Sequence, residues 1–195
     1  MNVPGLKMFA YLAFIMPLFF FVIWILSATI DGEWAFGVNS LSDMGISENA
    51  VSAFLFNFGC ITTGIFGAII GFGMFAYGKR TIKYGGMLYI ISMIFLAFVG
   101  VFTLPQTMHY VVASSYGAFF ALSVVVSTPS DWKVSWYLYF DIVFIVAGII
   151  IVSTQVFAVW EAVMVIAACI WTFVLGYKML RENTLFSDGP NLKIV

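Results

Sequence analysis

Residues 50–83 read AVSAFLFNFGCITTGIFGAIIGFGMFAYGKRTIK, and this stretch decides the fold. From Ala50 to Gly78 it holds no charged residue. An α-helix rises 1.5 Å per residue, so about 20 apolar residues cross a hydrocarbon core ~30 Å thick. The run is long enough, and it stops where Lys79, Arg80 and Lys83 arrive, charges that are costly to leave in lipid. Within it Asn57, Gly64, Gly71 and Gly78 recur every seven residues, and Cys60, Gly67 and Met74 form the adjoining seam. Gly67 and Gly71 complete a G-x-x-x-G. Lipid gives no reason to line a face with glycine, whereas a neighbouring helix gains close approach from it.

Outward from this stretch, five more runs meet the same test. The six are Lys7–Ile30, Ala50–Gly78, Tyr84–Leu104, Met108–Ser127, Trp136–Ser153 and Phe157–Met179. Pro105 and Pro129 remove backbone donors after the third and fourth, Asp131, Trp132 and Lys133 mark the next turn, and a weak polar step at Ser153–Gln155 separates the last two. Pro17 is expected to kink the first. The composition agrees: 63% hydrophobic and 9% charged, against about 25% charged in soluble domains, with a mean hydropathy of +1.08. The expected fold is all-α, a polytopic membrane bundle of six transmembrane helices. Residues 1–182 form its single domain and 183–195 a cytoplasmic tail.

With six crossings, all eight Lys and Arg residues fall on one side. Lys7 is N-terminal; Lys79, Arg80 and Lys83 join the second and third helices. Lys133 joins the fourth and fifth, and Lys178, Arg181 and Lys193 follow the sixth. The positive-inside rule then places both termini in the cytoplasm of a cell-membrane protein. No internal repeat of the kind that builds inverted-repeat transporters stands out.

The opposite side has one sizeable loop, about Asp31–Asn49, which carries Asp31, Glu33, Asp43 and Glu48 and no base. Ser40-Leu41-Ser42-Asp43 has capping-box spacing, so a short helical turn is expected there, ended by Gly45, with Ser47 capping the second membrane helix. Trp34 and Phe36 suit the membrane interface.

Depth groups the buried polar residues. Asn57, His109 and Glu161 lie in the outer third, beneath the Asn39–Asp43 segment, and could converge on an outward-facing polar pocket. The ligand-binding set is then Asn39, Ser42, Asp43, Asn57, His109 and Glu161, with His109, Asp43 and Glu161 as candidates for proton transfer. An intramembrane carboxylate such as Glu161 is a functional hypothesis by default. Asn57 and His109 have the plainer roles of interhelical bonding and interfacial packing. Asp141 lies in the inner half, too deep to meet Glu161, and pairing with Lys133 or the basic second-to-third connection is its expected role. His109, Ala113, Gly117 and Ala121, four apart, form a second small-residue face.

One histidine and two cysteines, Cys60 and Cys169, both in apolar runs, do not supply a zinc or bis-histidine haem site, and no cofactor or metal is expected. The cysteines read as packing residues. P-loop and H-E-x-x-H motifs are absent, and no basic stripe points to nucleic acid. A Ser–His–Asp set from Ser42, Ser114 or Ser115 with His109 and Asp43 or Glu161 has no diagnostic spacing.

The Asn39-x-x-Ser42-Asp43-Met44-Gly45 pattern, the Phe56-Asn57 pair and Pro105 followed by His109 resemble a prokaryotic family of six-helix membrane proteins catalogued as domain of unknown function 998. The resemblance spans nearly the whole chain. It implies that Asn39, Ser42, Asp43, Gly45, Asn57 and His109 are the family's shared polar set, and it carries no activity. Three function classes remain: binding, and conceivably modification, of a lipid or amphipathic ligand in the outer pocket; a small channel or transporter, which needs Asp141 to continue what Glu161 begins; and a non-catalytic membrane partner, self-associating through its glycine seams. The first is favoured, and the sequence does not decide whether the protein is an enzyme.

Overall fold

The structure is a computed structural model that describes residues 4–181 and 185–187, the side chain of Lys133 excepted. Six long helices make up the fold: α1 (Pro4–Asp31), α2 (Ala50–Tyr77), α3 (Thr81–Val99), α4 (Thr107–Ser127), α5 (Ser135–Thr154) and α6 (Phe157–Arg181). Each is long and apolar enough to cross a membrane. Two short 3₁₀ turns, Leu41–Ile46 and Thr128–Lys133, fill the α1–α2 and α4–α5 connections, and no β-strand occurs among the described residues.

The helix ends follow local chemistry more closely than the hydropathy runs do. Pro4 starts α1, where a missing N–H costs nothing, and α1 continues through Pro17. Asn49, not Ser47, caps α2: its Oδ1 accepts the Val51 N–H at 3.1 Å. Ser47 stands two residues back, accepting the Asn49 N–H at 3.1 Å and donating to Asp31. Helix α3 takes in Lys83, because a terminal lysine stretches out of the hydrocarbon; its Nζ lies 5.0 Å over the Phe75 ring. It stops at Val99, since at Gly100 the backbone sits against the carbonyl of Asn57 in α2.

The helices pack as a ring in chain order, with α1 against α2 and α6, and α3 against α2 and α4. The α2 glycine seam faces α3: a Cβ at Gly71 would lie 2.8 Å from Ile90 Cγ1 and 3.1 Å from the Gly86 carbonyl, and one at Gly64 2.6 Å from the Ala97 nitrogen. The glycines of the seam thus pack against α3 of the same chain. By contrast Gly117 of α4 has open space beside it.

Helix α5 closes the ring loosely. Its only buried residues are Tyr137 and Asp141, both in its first two turns. Of the stretch read as a tail, residues 185–187 dock on the bundle. Lys79 N–H donates to the Leu185 carbonyl at 2.9 Å and Ser187 N–H to that of Tyr77 at 2.8 Å. Leu185 and Phe186 are buried in the core because two adjacent large apolar side chains find cover there.

Candidate functional site

Polar side chains gather at the two ends of the bundle. At the loop end the turn Leu41–Ile46 sits among the helix ends, with Leu41, Ser42, Met44 and Gly45 buried. Leu41 and Met44 join an apolar cluster with Phe56 of α2, Val112 of α4 and Ala162 of α6. The Ser40–Asp43 spacing works as expected: Asp43 Oδ2 accepts the Ser40 N–H at 2.7 Å. Gly45 does not end the turn, which runs on to Ile46. Its lack of a side chain serves contact instead, since a Cβ there would lie 2.7 Å from Asn57 Oδ1.

Two intramembrane side chains hold this turn. Glu161 of α6 accepts the Leu41 N–H at 2.6 Å on Oε2 and the Ser42 hydroxyl at 3.0 Å on Oε1. Asn57 of α2 donates from Nδ2 to the Gly45 carbonyl at 2.9 Å. Asn39 Oδ1 accepts the Ala35 N–H at 3.0 Å within the loop, and Trp34 donates to the Ser40 carbonyl at 2.8 Å. Ser27 and Ser52 fasten α1 to α2 beneath, each hydroxyl 2.9 Å from the other residue's carbonyl. His109 is buried at the start of α4, with Nδ1 2.7 Å from the Phe102 carbonyl. Of the residues singled out in the sequence, Ser42, Asp43, Asn57 and Glu161 therefore meet around one turn. Asn39 shapes the approach to it, and His109 ties the α3–α4 connection. Ser42 donates to Glu161 and Ser114 to the Tyr110 carbonyl, so neither hydroxyl is bonded to His109.

The terminal end carries a constellation that sequence reasoning missed in part. Lys178 of α6 lies 2.6 Å from Asp131 Oδ2 in the α4–α5 turn and 3.2 Å from Asp141 Oδ2 of α5. Their side-chain exposures are 4%, 1% and 0%, so this ion pairing is internal. Trp171 donates from Nε1 to Asp141 Oδ1 at 3.1 Å, and the Tyr137 ring lies 4.9 Å from Lys178 Nζ. Asp141 is thus paired structurally, as expected, but its partner is Lys178. Lys83 of the basic connection lies over the Phe75 ring instead, and the side chain of Lys133, the other expected partner, lies outside the described residues. The missed signal was periodicity: Lys178 shares a helix face with Trp171 and Leu175, both buried.

Between the two ends the core is mainly apolar. Tyr89 and Thr172 hydrogen-bond at 2.8 Å, and a cavity of about 20 Å³ lies near Thr63, Tyr116 and Cys169, enough for about one water. Cys60 and Cys169 are free and buried, and no metal-binding group of residues occurs among those described.

A family model described as protein of unknown function (DUF998) matches residues 14–178. The chain belongs to this family. The match takes in both polar clusters from the Asn39–Gly45 segment to Lys178, and it confirms the resemblance carried by that segment. No curated protein and no solved structure matches the chain.

Proposed function

We propose that this member of the family is a multi-pass cell-membrane protein, both termini cytoplasmic, that binds a lipid or other amphipathic molecule at its loop end. The observation that carries the reading is the clamp between Glu161 and the turn. A carboxylate inside the membrane spends both its oxygens on two exchangeable donors, the Leu41 N–H and the Ser42 hydroxyl. A head group rich in N–H or O–H donors can take their place, lifting the turn about Gly32 and Gly37, whose φ angles are +76° and +81°. Asn57 keeps the turn in register meanwhile, and His109 lies one helical turn before Val112, which shares the apolar cluster with Leu41 and Met44. The apolar tail has a way in on the flank that α5 covers thinly, since that helix buries nothing beyond Asp141.

The single-water cavity and the mainly apolar middle of the bundle favour a binding site over a continuous path. The reading requires only that the ligand be held, with no chemical step. Native mass spectrometry of the purified protein tests it. Wild type is expected to carry a defined adduct that Glu161→Gln loses and His109→Ala weakens, all three remaining folded. Absence of any adduct, or an adduct untouched by Glu161→Gln, counts against the reading.

A further inference from the structure

A groove of about 510 Å³ runs along the outside of the bundle between α2 and α3, a volume within the ~300–1,000 Å³ of ligand sites. Its floor is made of small residues, Gly64 and Ala68 of α2 and Ala97 of α3, and its rims of exposed large ones such as Ile65, Phe72 and Ile94. Every lining residue is apolar, and both helices are long and apolar enough to cross a membrane.

The groove leads to positive charge at the end that carries the termini. Lys83 precedes the groove-lining Ile90 by seven residues, so both lie on one face of α3. Seven residues of helix rise roughly 10 Å, which separates a charge at the membrane edge from a chain in the hydrocarbon. Lys83 Nζ stands 5.0 Å over the Phe75 ring, whose centroid is 6.4 Å from that of Phe72 in the groove wall. Arg80, three residues before Lys83, is exposed and keeps a φ of +52°, a left-handed backbone that favours glycine. Strain of this kind persists where surroundings or function hold it. Among the described residues neither Arg80 nor Lys83 forms an ion pair, and from Ala50 to Ser130 the sequence has no Asp or Glu.

We propose that α2, α3 and their connection bind one anionic phospholipid, its phosphate on Arg80 and Lys83 and one acyl chain along the groove. The two halves of the site define the lipid. A groove without polar lining inside a membrane span suits hydrocarbon, and basic residues at the edge of the span select anionic head groups. A second copy of the chain fits less well, because a two-fold pairing through this face sets Arg80 and Lys83 against their own equivalents. The site lies at the opposite end from Glu161 and does not depend on the ligand reading there.

Native mass spectrometry in detergent, titrating dioleoylphosphatidylglycerol against dioleoylphosphatidylcholine, tests the site. The two lipids share their chains and differ in charge. The wild type is expected to bind one phosphatidylglycerol more tightly than phosphatidylcholine. A basic residue near anionic lipid contributes about fivefold, so Arg80→Gln combined with Lys83→Gln should lower that affinity about 25-fold and abolish the preference. Ile94→Trp fills the groove from an exposed position and should weaken both lipids. Glu161→Gln should bind phosphatidylglycerol as the wild type does, which separates this site from the one at the loop end. Equal affinity of the wild type for the two lipids overturns the proposal, as does a preference that survives the loss of both basic residues. So does binding that Ile94→Trp leaves untouched, or a dimer that Ile94→Trp dissolves and lipid does not displace, which would give the groove to a second copy.

Discussion

Three residues on α6 determine what the two ends of the molecule can do. Glu161 faces the loop, Trp171 faces Asp141, and Lys178 bridges two aspartates. Glu161 and Trp171 are separated by ten residues of helix, roughly 15 Å, so the clusters at the two ends share a rigid element without touching. Lys178→Met should cost about 3–5 kcal/mol, the usual consequence of removing one partner from a buried ion pair, read as a lower unfolding midpoint in detergent. Asn57→Ala removes the donor to the Gly45 carbonyl and should cost about 0.5–2 kcal/mol, with faster amide exchange in 41–46 and an unchanged terminal end. Glu161 was legible in the sequence because a carboxylate in an apolar run is conspicuous. Lys178 was not. It lies close to a helix end, where lysines ordinarily reach for water, and only the burial of Trp171 and Leu175 on its face reveals that it points inward.

At the scale of elements, spacing shows where a face is small but not whether it is filled. The α2 seam and the α4 series His109, Ala113, Gly117 and Ala121 look alike as patterns. In the structure α3 occupies the first, while Gly117 stands beside open space. The two should therefore respond differently to an added methyl group. Gly71→Ala pushes a Cβ against Ile90 and the Gly86 carbonyl and should cost about 1–3 kcal/mol. Gly117→Ala should be neutral or slightly stabilising, since alanine is the better helix former; paired thermal unfolding curves decide this. Helix boundaries show the same division. Charge and proline marked every break but the last, where only a weak polar step at Ser153–Gln155 stands, and an end such as that of α3, with Gly100 against Asn57, was set by a contact that no local pattern encodes.

For the whole molecule, the count of six helices rests on length and hydropathy, and its sidedness on charge. The helix order puts Lys7, Lys79, Arg80, Lys83, Lys178 and Arg181 at the end that carries the termini, and the acidic loop at the other. Cysteine labelling in intact cells checks the orientation proposed from that asymmetry. Val38→Cys, at a loop position 77% exposed, should react with an impermeant maleimide. Trp132→Cys, 76% exposed near the other end, should react only after permeabilisation. The native Cys60 and Cys169 are buried and add little background. The loop end was partly readable because its polar residues cluster in sequence depth. That the turn itself fills the space among the helix ends was not, since it depends on Leu41 and Met44 packing against α2, α4 and α6.

The decisive question is whether the turn and a ligand compete for Glu161. Hydrogen–deuterium exchange of the segment 38–47, measured in nanodiscs before and after adding a total lipid extract from the membranes in which the protein is expressed, tests this most directly. The expected result is a Leu41 amide that is protected without added lipid, because Glu161 holds it, and exchanges faster once lipid is present. The same lipid should leave Glu161→Gln unchanged. A segment whose exchange does not respond to lipid, or responds equally in the variant, would contradict the account and return Glu161 to the role of a structural clamp.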